Sequence, residues 1–339
     1  MSNYFCKEYE DLYESIQLKR KILSTLSGRD LTIFKKMTHR NLVLSIYTSW
    51  DNVIKRSVYD SFVNYKEIIV DASFIKKYFK SVNEKRYVYA DFISNISDNQ
   101  FLITLENLCF SNNLNSKELF ELLKRMKFDV NALRVHILKD YRVASAINNL
   151  KESGVALIFK GTERPQNIFE YFIAYLDLLI ESRNSIAHKY EDDYHFNIDQ
   201  LDYYLKFIIC STITINEYIQ SQVLIKAQEK KVRISNRFYP LKVIRSSDAN
   251  GRSIIGIRNI SSKVFSKDTI LYCYDKTENI YREVKIAKIM KNSKEVQEIL
   301  PYEDYSLEVY CQVKIKSEVK FKICAIRSTS LLFNYQIIV

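Results

Sequence analysis

Residues 165–190 read PQNIFEYFIAYLDLLIESRNSIAHKY, and the fold expected for the first two thirds of the chain follows from this stretch. Pro165 suits the first turn of a helix, where its missing N–H costs nothing. Ile168, Phe169, Phe172, Leu176, Leu179 and Ile180 then recur at three- and four-residue spacing, the apolar stripe of an amphipathic helix. Glu191, Asp192 and Asp193 would oppose the negative end of the helix dipole, so the helix is expected to stop near Tyr190. Its last turns carry Arg183, Asn184, Ser185, Ile186, Ala187 and His188. A phosphate-binding cation and a titratable imidazole thus share one helix.

The same periodicity extends over residues 1–230. From Asn41 to Ile69, the residues Ile46, Trp50, Val53, Ile54, Val58, Phe62, Tyr65 and Ile69 trace a second stripe, with Trp50 as a core anchor. A shorter helix is expected from Asn115 or Ser116 to about Met126, capped by either residue and favoured by Glu118 in its first turn. Ala132–Leu150 has helical spacing with Gly154 as a stop, and another helix starts near Asn197 and runs towards Lys230. After Val232, short β-branched and aromatic runs take over, separated by turn residues such as Asp248-Ala249-Asn250-Gly251 and Lys291-Asn292-Ser293. Expected strands are Ser253–Ile257, Thr269–Tyr274, Tyr281–Ile289, Ser306–Ile315 and Lys320–Ile326. The expected fold class is therefore α+β with two domains: an all-α helical bundle over 1–230, then a small all-β domain, barrel- or sandwich-like, over 231–339.

Bulk composition narrows the function. Hydrophobic residues make up 47% of the 339 and charged residues 27%, enough apolar material for two cores and incompatible with a wholly disordered chain. Lys7, Glu8 and Glu10 interrupt the N-terminus where a signal peptide needs an apolar core, and Glu170 and Asp177 interrupt the most apolar run. A cytoplasmic protein with no membrane association is expected. Cys6, Cys109, Cys210, Cys273, Cys311 and Cys324 are too scattered for a zinc or redox motif and read as reduced thiols. The four histidines show no helical metal-ligand pair, so neither metal nor cofactor is expected. Of the net charge of +11, most lies in residues 231–339, where 20 Lys and Arg face 11 Asp and Glu. That asymmetry favours an acidic partner.

Five residues apart on a helix means about 140° of rotation and about 7.5 Å of rise, so Arg183 and His188 flank one face. Asn184 and His188, at i and i+4, lie almost above one another, and the amide is expected to hydrogen-bond the imidazole. Ala187 is small enough to let another helix approach. RNA supplies its own nucleophile, the 2′-hydroxyl; an enzyme adds a proton carrier and a cation for the pentavalent phosphate. A histidine exchanges protons near neutral pH, and an arginine forms paired hydrogen bonds to phosphate oxygens. By spacing alone, an Arg and a His near a helix end more often serve its exposed carbonyls.

Arg-Asn-Ser-Ile-Ala-His at the end of a late helix, after an earlier Trp-bearing one, resembles the R-polar-x3-H signature of HEPN domains. Within that superfamily, the stretch from His39 through Ser49-Trp50-Asp51 to Tyr65 is similar to one group of HEPN-like nucleases. The resemblance covers residues 1–230 only. It implies a helical bundle that homodimerises so that two motif helices face each other across a composite, metal-independent endoribonuclease site, in a toxin or anti-phage defence effector. Arg183 and His188 carry over as catalytic residues and Asn184 as the polar residue that orients the site, with Ser185, Ile186 and Ala187 variable. Lys189 stands where relatives often have Gly. Arg183-x4-His188-x-Tyr190 also resembles toxins whose tyrosine is adenylylated by a partner nucleotidyltransferase, making Tyr190 a possible modification site and an antitoxin a possible partner.

Outside the motif, Lys285, Lys288, Lys314 and Lys316 are candidate RNA contacts in the basic β region, among tyrosines and phenylalanines able to stack unpaired bases. A half-exposed strand pair shows the same alternation without binding anything. His195 and the acidic residues before it read as a solvated loop, and His39 and His136 as structural or exposed, without a suggestive local partner. The competing function is a non-catalytic RNA-binding or protein-interaction module that uses the helices as a dimer or partner interface.

Overall fold

The computed structural model describes residues 2–64, 66–70, 73–74, 76, 78, 80, 103–110, 113–157, 164–189, 196–229, 238–249, 252–260, 262, 264–275, 280–310 and 323–326. The chain is α+β, mostly helical in its N-terminal part and followed by a small antiparallel sheet. It divides into two compact units, Met1–Ile219 and Gln220–Ser330. The division falls inside the last helix rather than after it, where composition changes.

The helices are α1 (Ser2–Thr25), α2 (Gly28–Asn64), α3 (Lys66–Ile69), α4 (Leu105–Leu108), α5 (Ser116–Arg125), α6 (Val130–Lys139), α7 (Tyr141–Glu152), α8 (Ile168–Lys189) and α9 (Ile198–Glu229). The Trp50 stripe belongs to a longer helix than periodicity suggests, because α2 starts at Gly28 and ends just before Tyr65. Ile46, Trp50, Val53, Ile54, Val58 and Phe62 are all buried, and the Trp50 indole N–H donates to the Leu114 carbonyl at 3.0 Å. Asn115 caps α5 through the Glu118 amide at 2.8 Å. The stretch 132–150 is two helices. Asp140 ends α6 and caps α7, its carboxylate accepting from the Arg142 amide at 2.9 Å, which gives the chain a corner there. Gly154, at φ +77, follows the end of α7.

The helix that carries the motif, α8, begins three residues after Pro165, not at it. Asn167 and Glu170 make reciprocal bonds there: the Asn167 side chain accepts from the Glu170 amide at 3.1 Å, and Glu170 accepts from the Asn167 side chain and the Gln166 amide, both at 2.7 Å. That is a variant of the capping box, in which Glu170 takes the Asn167 side chain and the Gln166 amide in place of the Asn167 amide, and it takes over the start that Pro165 was expected to set. From this cap, α8 packs against α2, α5, α6 and α7. Phe172, Tyr175, Leu176, Leu179 and Ile180 are buried, and Phe172 and Tyr175 meet Phe207 and Tyr204 of α9 at ring distances of 6.0–6.2 Å. Burying each such side chain stabilises by about 1.5–3 kcal/mol, so the centre of the helix is fixed and its C-terminal turns are carried to a set place.

In the second unit the main sheet runs β4-β9-β1-β2-β8-β5-β6, and β4 also pairs with β5. The extra pairing closes six antiparallel strands, β1 (Phe238–Ala249), β2 (Arg252–Asn259), β4 (Ile270–Asp275), β5 (Ile280–Lys291), β8 (Asp304–Tyr310) and β9 (Ile323–Ile326), into a barrel. The hairpin strand β6 (Lys294–Val296) extends it, and β3 (Phe265–Ser266) pairs separately with β7 (Glu298–Ile299). Ile255 and Ile257 of β2 and Tyr305, Leu307 and Val309 of β8 alternate inwards to form the interior with Val284, Ile286 and Ile289 of β5. Strand β1, absent from the expected set, is paired on both sides, with β9 and with β2. The Lys291-Asn292-Ser293 turn is a two-residue hairpin loop with φ +49 and +65 at Asn292 and Ser293, the twist-compatible geometry.

Candidate functional site

The hexapeptide occupies the last two turns of α8, and burial divides it. Ser185 and Ile186 turn into the core, Arg183 and Asn184 are half-buried, and Ala187 and His188 are exposed. The residues that the resemblance treats as variable are therefore partly packing residues. Arg183 and His188 hold the face that the core leaves uncovered.

The Asn184 amide does not serve His188. Its oxygen accepts instead from the Arg183 guanidinium at 2.9 Å, a charge-assisted bond. Among the described residues, none hydrogen-bonds the His188 ring. Arg183 also lies over the Tyr47 ring of α2, with its central carbon 5.1 Å from the ring centroid. Tyr47 is 3% exposed. Its hydroxyl lies 3.3 Å from the Asp51 carboxylate and 3.4 Å from the Asn113 side-chain oxygen, and it accepts from the Leu114 amide at 3.2 Å. Asp51 accepts from that same amide at 3.1 Å and from Lys55 at 2.7 Å. Burial first, and the Asp51 charge second, push the Tyr47 phenol well above its ordinary range despite the opposing charge of Arg183. The hydroxyl stays protonated.

Tyr47 and Asp51 are site residues that motif reading missed. Their signal was local: Tyr47, Asp51 and Lys55 stand at i, i+4 and i+8, one face of α2. What no local pattern carries is the pairing of that face with Arg183, fixed by the packing of α2 on α8.

His39 and His136, without a suggestive local partner in the sequence, are buried against residues distant in it. The Nδ1 of His39 lies 3.2 Å from the Phe196 carbonyl oxygen and 3.3 Å from its amide, pinning the start of the segment that leads into α9. His136 lies in a buried cluster with Asp140 and Glu217, its Nε2 3.8 Å from a Glu217 oxygen. One ligand atom from each of these three residues lies within 4.8 Å of the others, a metal-like grouping. Its centre already holds a cation. Arg142 donates to Asp140 at 2.5–3.1 Å and to both Glu217 oxygens at 2.6 and 3.0 Å, while Thr214 donates to Asp140 at 2.7 Å. Burial alone would raise the Asp140 carboxyl; the hydrogen bonds and charge of Arg142, with Thr214, outweigh it and hold the carboxyl below its ordinary range.

Of the basic candidates, Lys285 and Lys288 are exposed on β5, brought to one side by a bulge that leaves Ile286 and Ala287 buried between them. Lys288 stands opposite Glu308 across the sheet, so the face is not uniformly cationic. A cavity of about 650 Å³ on the same barrel is lined by Lys291, Met290, Gly256 and Ser306 among others. Its lysine is held by Glu303 at 2.5 Å, and the neighbouring Arg258 is held by Asp304 at 2.6 and 2.7 Å. Tyr190, Glu191, Asp192, Asp193, His195, Lys314 and Lys316 lie outside the described residues. Cys109 and Cys210 are buried free thiols, pushed up by burial to about 12 and about 11, which leaves them unreactive.

No helix among the described residues is long and apolar enough to cross a membrane. In comparisons with protein-family models, with curated proteins and with solved structures, nothing matches this chain.

Proposed function

We propose that the chain is a metal-independent endoribonuclease of the HEPN type, acting in the cytoplasm as a toxin or anti-phage effector. The observation that carries the reading is the end of α8, where a half-buried arginine and an exposed histidine share one uncovered face beside an exposed alanine. In the proposed homodimer, two such helices meet at Ala187 and each supplies Arg183 and His188 to a composite site. The RNA 2′-oxygen attacks the adjacent phosphorus as His188 relays its proton, Arg183 neutralises the pentavalent phosphate, and the 5′-oxygen leaves with a proton. Products carry a 2′,3′-cyclic phosphate and a 5′-hydroxyl.

The second reading, a non-catalytic RNA-binding or protein-interaction module, draws on one observation: no described residue orients the His188 ring. In that case the helices would serve as a dimer or partner interface; an antitoxin or a nucleotidyltransferase acting on Tyr190 belongs to the toxin reading, as the means of inactivating the enzyme. Incubating the purified protein with total RNA, with and without chelator, separates the two. Cleavage that persists in chelator and drops by about a hundredfold or more in His188→Ala supports the enzyme; undiminished cleavage by that variant would falsify it.

A further inference from the structure

Among the described residues no carboxylate pairs with Arg183, whereas Arg20, Arg142 and Arg258 each pair with at least one. Arg183 is held instead by the Asn184 amide oxygen and by an aromatic ring. The distinction is chemical. A carboxylate would neutralise the guanidinium and occupy the N–H donors that a phosphate needs; a ring attracts the cation through its quadrupole and uses no donor. With one of five donors on Asn184, the others remain for an anion.

The ring itself is fixed in place. The Tyr47 hydroxyl is tied to Asp51 and to the Leu114 amide, and the Leu114 carbonyl accepts from Trp50. Two residues on, the Ser116 amide and hydroxyl donate to Asp177 of α8 at 3.1 and 2.9 Å. Segment 113–116 therefore straps α2 to α8, and it does so at Asp177, six residues before Arg183. The strap sets how far the Tyr47 ring lies from the guanidinium.

We propose that Tyr47 is a positioning residue for Arg183, its ring holding the guanidinium in place while leaving the donors free for a phosphate of the substrate. This rests on the reading of Arg183 as the phosphate-stabilising residue. The contact itself is testable without any activity.

The full chain is prepared as wild type, Tyr47→Leu and Tyr47→Phe, and with phenylalanine or pentafluorophenylalanine placed at position 47 by codon reassignment. Modification of Arg183 by phenylglyoxal is followed by peptide mass spectrometry, alongside single-turnover cleavage of RNA. Expected is a modification rate roughly three- to thirtyfold higher in Tyr47→Leu, intermediate in Tyr47→Phe, which keeps the ring but loses the ties of the hydroxyl, and higher than in Tyr47→Phe on pentafluorination, which weakens the cation–ring attraction while preserving shape. In cleavage, kcat should fall about ten- to a hundredfold in Tyr47→Leu and in the pentafluorinated protein, with KM little changed. If Tyr47→Leu does not fold, the phenylalanine and pentafluorophenylalanine pair decides alone. Equal modification rates across that pair overturn the contact, and an altered rate with unchanged kcat overturns the positioning role. A wild-type protein that cleaves no RNA removes the nuclease reading, while the modification rates still report on Tyr47 and Arg183.

Discussion

Two arginines of the helical unit, Arg142 and Arg183, show what burial does with a cation. The Arg142 side chain is 4% exposed and meets Asp140 and Glu217 with its donors, beside Thr214 and His136. Arg183 is half-buried, gives one hydrogen bond to Asn184 and rests on a ring. The first arrangement is closed, since every partner needed to offset desolvation is supplied by the fold. The second is open, with a charge whose best partner is an anion from outside. Chemistry-bearing residue types occur in both clusters, and only the state of satisfaction separates a staple from a candidate site.

The largest effect that tests this contrast is removal of Arg142. Arg142→Leu leaves the buried Asp140 and the half-buried Glu217 without their shared counter-charge, at a cost of about 3–5 kcal/mol in unfolding free energy. Urea unfolding of the purified variant measures it. A loss under about 1 kcal/mol would mean that the cluster is wetter than its burial indicates and that the comparison with Arg183 does not hold.

How far each cluster could be read beforehand depends on the distance over which its pattern extends. The α8 stripe, the Trp50 anchor, the Asn115 cap and the change to strands after residue 230 are local or periodic, and each is found near where periodicity puts it. Arg183 and His188 were legible for the same reason, lying within one motif on one helix. The Arg142 cluster was not, because Asp140 looked like part of one helical run and Glu217 is contributed by a helix far along the chain. Tyr47 was half-legible: its spacing to Asp51 and Lys55 marks a face, but nothing local says that Arg183 covers it. Asn184 shows the opposite failure, since i to i+4 geometry pointed to His188 while a charged donor next door was the stronger claimant. Strand β1 escaped because its apolar residues, broken by Pro240, Lys242 and Arg245, look irregular until strands on both sides supply its pairing.

Acid offers a smaller and more specific test. The Asp140 carboxyl is held down in the folded protein, so below its ordinary value near 4 the unfolded chain binds the proton that the folded one still refuses. The stability contributed by Asp140 is complete above that pH and is lost as pH falls through the depressed folded value. Asp177, raised by burial against the bonds from Ser116, works in the opposite sense, gaining stability as it protonates. The prediction is therefore framed as a difference: urea unfolding of wild type and Asp140→Asn from pH 6 to pH 2.5 should converge at the acid end, because the amide has no charge to lose. Parallel curves would show that Asp140 is not the group responsible.

The smallest expected effect is the one that completes the comparison. His188 is exposed and no described residue bonds its ring, so truncation removes little that the fold uses. His188→Ala should change unfolding free energy by no more than about 0.5 kcal/mol, the usual range for surface substitutions away from caps and networks. A null result here carries weight because the same substitution is predicted to lower RNA cleavage by about a hundredfold or more, and a residue that matters to activity but not to stability is held in place for a reason outside the fold. If His188→Ala instead costs about 2 kcal/mol or more, the imidazole is serving a contact, within one chain or across a dimer. Repeating the measurement over a tenfold range of protein concentration then distinguishes them, since only an intermolecular contact makes the loss depend on concentration.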